Sequence, residues 1–286
     1  MPMSSEFETR LYPILDEIAA HYGTPFHIYD ETGIRQTGAA LNGAFSPLKG
    51  FREYFAVKAL PNPKILQIMQ ALGFGFDCSS IPEIMLSRQL GARAADIMFS
   101  SNNTSSDEFE YAAADDGCIV NLDDISLVDK IKTIPELICF RYNPGPMRTG
   151  NSIIGNPVEA KYGVSHDQVL DAYRLARQRG ARRFGLHTML ASNTLDYKYM
   201  LETTRMLLNI AGLLRRELNI AVEFVNIGGG IGIPYRPGEP SFNLTAMAAE
   251  VSKLFNALVS FKSCGMGHIS AKFSRILTEQ VDLTTE

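Results

Sequence analysis

Lys58 closes the run Glu53-Tyr54-Phe55-Ala56-Val57 and precedes Ala59-Leu60-Pro61-Asn62-Pro63. The run reads as a buried strand. The prolines mark the loop leaving it, because the residue before a proline is pushed away from helical conformation. A lysine at such a junction either snorkels to water or serves as a desolvated amine able to form a Schiff base. A second group is Asn226-Ile227-Gly228-Gly229-Gly230-Ile231-Gly232-Ile233-Pro234. Gly228, Gly229 and Gly230 let backbone N–H groups approach an anion with no side chain in the way, so the segment reads as a phosphate cradle or, more plainly, a flexible turn. It is not a dinucleotide fingerprint: the spacing is wrong, and Pro234, Pro237 and Pro240 forbid an immediate long helix. A third segment, Phe184 to Asn193, carries His187 and Ser192. Ser192 offers a hydroxyl that could donate to a phosphate, whereas a lone histidine is more often a satisfied core residue than a catalyst. Asp77, with Ser79, Ser80 and Glu83, ends another apolar run, either as active-site polar groups or as a helix cap.

These groups need elements to hold them. Apolar runs recur at Tyr54–Val57, Gly75–Cys78, Ile97–Phe99, Ile119–Leu122, Leu137–Tyr142, Phe184–His187, Val222–Ile227 and His268–Ile276. Helix-like stretches lie between most of them, among them Pro63–Leu72, Ile81–Leu90, Ser106–Asp115, His166–Arg179 and Tyr197–Leu218. Eight strands alternating with helices predict an α/β fold of the parallel (β/α)8 barrel type, with an open doubly wound sheet as the alternative. Ser106 reads as the cap region of one helix, and Pro82 with Glu83 suits the first turn of another. Before the barrel, a helix to about Tyr22 and a short strand at Pro25–Asp30 are expected. The long stretch Asn143–Gly163, rich in Gly, Pro and Asn, reads as a functional loop. In a barrel, Lys58 and the glycine triplet both fall at the C-terminal ends of strands. Pyridoxal phosphate needs this pair of groups: its aldehyde takes an amine, and its phosphate takes a glycine loop.

Composition narrows the classes. The 286 residues are 45% hydrophobic and 20% charged, with a net charge of −4. No basic field points to nucleic acid or a membrane surface, and no apolar run is long enough to span a bilayer. The N-terminus lacks the pattern of a secretory signal, so a cytoplasmic location is expected. Cys78, Cys118, Cys139 and Cys264 are widely spaced and read as free thiols, and no metal-ligand spacing occurs.

Several ordered motifs resemble the barrel-type pyridoxal-phosphate-dependent decarboxylases. Phe55-Ala56-Val57-Lys58-Ala59 is similar to the family's cofactor lysine motif, and Thr24-Pro25-Phe26-His27-Ile28-Tyr29-Asp30 to its N-terminal strand. Asp77-Cys78-Ser79-Ser80-Ile81-Pro82-Glu83, Lys161-Tyr162-Gly163 and Gly228-Gly229-Gly230 resemble three further elements. The likeness is nearest to the diaminopimelate branch, with carboxynorspermidine, ornithine and arginine decarboxylases as relatives. It implies a carboxy-lyase that turns meso-diaminopimelate into lysine, in lysine biosynthesis, as a homodimer on a small amino-acid substrate. It implies that Lys58 is the catalytic residue and holds pyridoxal phosphate, that Gly228, Gly229, Gly230 and Ser192 bind its phosphate, and that Asp77, Arg141 and His187 line the pocket. Residues 1–35 would pack on a β-rich domain, 36–276 would form the barrel, and 277–286 a truncated tail, since relatives continue into that β domain. Two positions depart from the family. Met189 stands where relatives place a histidine over the pyridine ring, and it can pack through sulfur but carry no charge. Lys272 stands where relatives place a carboxylate at the pyridine nitrogen, and a cation there would oppose protonation of the ring. A non-catalytic pyridoxal-phosphate barrel and an amino-acid racemase are the other function classes.

Overall fold

A computed structural model of the chain describes residues 3–100, 102–148, 162–236, 238–260 and 270–274. Eight parallel strands close into a barrel in chain order: β1 (Arg52–Ala56), β2 (Gly75–Cys78), β3 (Ala94–Phe99), β4 (Cys118–Leu122), β5 (Leu137–Arg141), β6 (Arg183–His187), β7 (Val222–Asn226) and β8 (Ser270–Ser274). The closure is a ladder between first and last strands, with Arg52 in register with Lys272 and Tyr54 with Ser274. A closed ring is the predicted (β/α)8 architecture and removes the doubly wound alternative. Helices α1 (Ser5–Leu11), α2 (Leu15–Tyr22) and α3 (Glu31–Phe45) precede the barrel. Then α4 (Pro63–Ala71), α5 (Ile81–Gln89), α6 (Ser106–Ala113), α7 (Val169–Gln178), α8 (Tyr197–Leu218) and α9 (Leu244–Ser260) alternate with the strands. Between β4 and β5 a 3-10 segment, Ile125–Lys130, takes the place of a helix.

Alternation of side chains along each strand divides the apolar residues into two cores. One phase of the strands packs outward on the helices, with Phe55, Val57, Phe76, Phe99, Phe140 and Leu186 in one large cluster. Tyr54, Met98, Ile119, Cys139 and Phe224 form a separate cluster inside the ring. Two rings in so narrow a space require two missing side chains. A Cβ on Gly75 would stand 2.7 Å from the Tyr54 ring, and one on Gly185 2.1 Å from that of Phe224. Large and small residues therefore fill the interior as complements.

Helix ends carry the local signals. Asn62 caps α4 through its side chain, with Pro63 in the first turn. Asp196 caps α8, and Asn219 ends it in the left-handed region. The cap of α6 is Ser105 rather than the expected Ser106. The Ser105 hydroxyl accepts from Glu108 N–H and the Glu108 carboxylate accepts from Ser105 N–H, a reciprocal box that the four-residue spacing already spells.

Three expectations change. The strand expected at Pro25–Asp30 is not one: these residues carry no ladder. The ring closed by β1 and β8 leaves no sheet edge for them to join. The domain boundary expected at 35/36 falls inside α3, a helix that the sequence hides behind Gly33, Gly38 and Gly43. Glycine lowers helix propensity, yet Gly38 is needed where α3 meets Leu72, whose Cδ1 would be 2.4 Å from a Cβ there. The helix expected from His166 begins only at Val169. The tail 277–286, Cys264 and Lys161 lie outside the described residues.

Candidate cofactor site

The chemistry-bearing residues converge on the C-terminal mouth of the barrel. Lys58 sits in a 3-10 turn, Val57–Ala59, directly after β1. It is exposed rather than a desolvated strand-end amine, so a bound partner, not the strand, would have to shield it. Asp77 lies in β2 between Ala56 and Met98 in register. Arg141 and His187 end β5 and β6 and are in register with each other. Electrostatics tie the four together. Burial, then the charges of Arg141 and Lys58, push the His187 imidazole well below its ordinary pKa. Burial lowers the pKa of Arg141, and the charges of Asp123, Tyr162 and Asp77 oppose that effect. His187 is thus a neutral ring in a cationic neighbourhood. Its Nδ1 lies 2.9 Å from Asn121 Nδ2, which also donates to Ser100 Oγ at 3.0 Å. With that amide donating, Nδ1 accepts and Nε2 carries the proton.

At the same mouth, the loops after β6 and β7 are joined. Thr194 N–H donates to Gly230 O at 2.7 Å, Gly232 N–H to Thr194 O at 2.8 Å, and Ile233 N–H to Asn193 Oδ1 at 3.0 Å. This contact explains the glycines. Gly228 and Gly230 have φ of +75° and +100°. A Cβ on them would lie 2.3 Å from Thr188 O and 2.2 Å from Ala191 O. Packing between the two loops therefore demands glycine before any ligand is considered. The amide hydrogens carry the stronger argument. Gly228 N–H is held by Asn226 Oδ1 at 2.9 Å. Among the described residues Gly229 N–H meets only the Met189 sulfur, at 3.2 Å. Among the described residues Gly230 N–H has no acceptor. Two buried donors, one weakly engaged and one unengaged, fit an anion, and half-buried Ser192 is beside them.

Arg141 Nη2 donates to Met189 O at 3.0 Å and its guanidinium lies over the Tyr162 ring at 5.6 Å. Lys272 lies in β8, in register with Asn226 on one side and Arg52 on the other, so its backbone belongs to the ring that carries the site. Four polar residues of the mouth were not anticipated. They are Asn121, Ser100, Asp123, whose carboxyl burial pushes up, and Asn102, which donates to Asp123 Oδ2 at 3.0 Å. Asn121 had a readable signal: it interrupts the apolar strand Cys118–Leu122 on the same phase as interior Ile119.

Comparison with known proteins matches residues 34–269 to the family described as pyridoxal-dependent decarboxylase, pyridoxal binding domain. The chain belongs to that family. Pyridoxal phosphate is accordingly the cofactor of this domain. This pyridoxal-binding barrel is 43% identical to protein TabA of Pseudomonas amygdali pv. tabaci over 87% of the chain and 59% of that protein. It is 35% identical to a diaminopimelate decarboxylase of Thermoplasma acidophilum over 85% of the chain and 60% of that protein. The chain thus spans about three fifths of these relatives' length. Among solved structures, diaminopimelate decarboxylase of Helicobacter pylori complexed with L-lysine superposes with a TM-score of 0.76 at 26% identity, covering 91% of this chain and 66% of that one. The enzyme of M. jannaschii, at 24% identity and a TM-score of 0.78, covers 90% and 62% and shares the fold.

Proposed function

We propose that this barrel holds pyridoxal phosphate for the decarboxylation of an amino acid, meso-diaminopimelate first among the candidates, in lysine biosynthesis. The observation that supports the reading is the pair of Gly229 and Gly230 donors beside Ser192, at the same mouth as a lysine whose charge acts on His187. Lys58 would supply the amine for the cofactor aldehyde, and its ammonium at the end of β1 could hold or deliver a proton at the mouth. Arg141 offers positive charge to a carboxylate, and Asp77 balances it from β2. His187, neutral, lines the floor without adding charge. Bound pyridoxal phosphate supplies an electron-withdrawing ring that accepts the electron pair left by departing carbon dioxide. A homodimer and a cytoplasmic location belong to the same proposal. Among the described residues no helix is long and apolar enough to cross a membrane.

One observation favours a second reading, a barrel that binds the cofactor without turnover. Lys272 is in register at the ring position where the resemblance calls for a carboxylate. A single protocol separates the two. Pyridoxal phosphate added to the full chain is expected to give a new absorbance band that Lys58→Ala removes. No band with folded protein rejects both readings. Carbon dioxide release from diaminopimelate, lysine, ornithine or arginine supports the enzyme, and the higher identity to TabA supports the breadth of that panel. A band with no gas from any of them supports the carrier.

A further inference from the structure

We propose that Met189 sets the affinity of the anion site by competing for one of its donors: the thioether holds Gly229 N–H and yields it when a phosphate oxygen docks. The inference rests on the reading of this loop as a phosphate cradle and concerns what tunes it. The sulfur is seated in the loop. It lies 3.2 Å from Gly229 N and 3.1 Å from where a Cβ of Gly228 would stand. The Met189 backbone is pinned, with Arg141 donating to its carbonyl at 3.0 Å and neighbouring Thr188 N–H bonded to Asn226 O at 3.1 Å. Only the side chain has freedom, and methionine has three rotatable bonds with no branch. A thioether is a weak acceptor, while a phosphate oxygen forms a short charge-assisted bond. Phosphate therefore wins the donor, but its gain is reduced by the bond it displaces. Gly230 N–H, without a competitor among the described residues, contributes in full. Met189 thus determines how tightly the phosphate binds rather than whether it binds.

The test is a titration of the full chain with pyridoxine 5′-phosphate, which has the ring and phosphate but no aldehyde for Lys58. The chain contains no tryptophan, so the fluorescence of the ligand ring is read without that background. Met189→Leu keeps the bulk and removes the acceptor, and is expected to tighten Kd about fivefold. Met189→Gln substitutes a stronger acceptor and is expected to weaken Kd by about the same factor. The Gly229 amide proton resonance should move upfield in the leucine variant before any ligand is added, a shift that altered packing elsewhere would not produce. A leucine variant that binds equally or less well, or a glutamine variant that binds no worse, overturns the proposal while leaving the cradle intact. If the unmodified chain binds neither pyridoxine 5′-phosphate nor inorganic phosphate, the cradle reading falls and the proposal with it.

Discussion

His187 illustrates how a single side chain can be read for both stability and chemistry. Its folded pKa is depressed, so the unfolded chain, near the ordinary histidine value of about 6.5, takes up a proton that the native ring refuses. Stability is therefore intact above that value and is lost as pH falls below it, by up to about 1.4 kcal/mol per pH unit. Denaturant midpoints measured from pH 7.5 to 5 should fall more steeply for the natural chain than for His187→Gln. Equal slopes would mean that the ring is not held neutral. At this scale the sequence was legible where backbone chemistry writes itself in residue types. A lysine before a proline loop and three glycines after a strand announce themselves in one short window. Asn121 shows in the sequence only as a polar break in an apolar strand, and Asp123 not at all as a site residue, because their meaning comes from His187, Asn102 and Arg141, brought alongside only when the strands assemble.

Among the elements, the strands were read well and the helices unevenly. Apolar runs bounded by turn residues mark parallel strands, whose two faces are both covered. Helix α3 escaped because three glycines lower its local propensity, and Gly38 answers instead to packing against Leu72. The segment Pro25–Asp30 alternates like a strand, yet a ladder requires a neighbour that the closed ring does not offer. Instead its Asp30 carboxylate accepts from Arg10 on α1 at 2.7 Å. The interior complementarity gives a direct prediction. Gly185→Ala would press a methyl group into the Phe224 ring, so it should destabilise the barrel by about 1–3 kcal/mol. Gly185→Ala combined with Phe224→Leu should recover part of that loss. Urea midpoints for the two variants check this, and an unperturbed single variant would show that the interior is looser than described.

For the whole molecule, the site is assembled from nearly every strand of one ring, so binding and folding are coupled. A ligand that engages only the native barrel stabilises it by about 2.7 kcal/mol at a hundred times its dissociation constant. Pyridoxal phosphate at that excess should raise the melting temperature by about 5–10 °C. Lys58→Ala should show a smaller rise at the same concentration, since the phosphate donors remain and the amine does not. Identical rises would place Lys58 outside the binding energy. The closed barrel was foreseeable from the alternation of elements. The exposure of Tyr12, Ile14 and Tyr22 on the N-terminal segment was not legible, because helical spacing shows which residues share a face but not what lies opposite it.

The short ladder that ties Thr194 to Gly230 and Gly232 bears on the timing of events. A loop anchored at Asn226 on one side and laced to its neighbour on the other has no slow closing motion left to make. Capture of the phosphate should then be a one-step encounter whose observed rate grows in proportion to ligand concentration. Among the described residues, the rearrangement that the proposal requires is the swing of the Met189 side chain, which belongs to the picosecond-to-nanosecond range. On the reading proposed for this loop, the cradle is ready before the cofactor arrives.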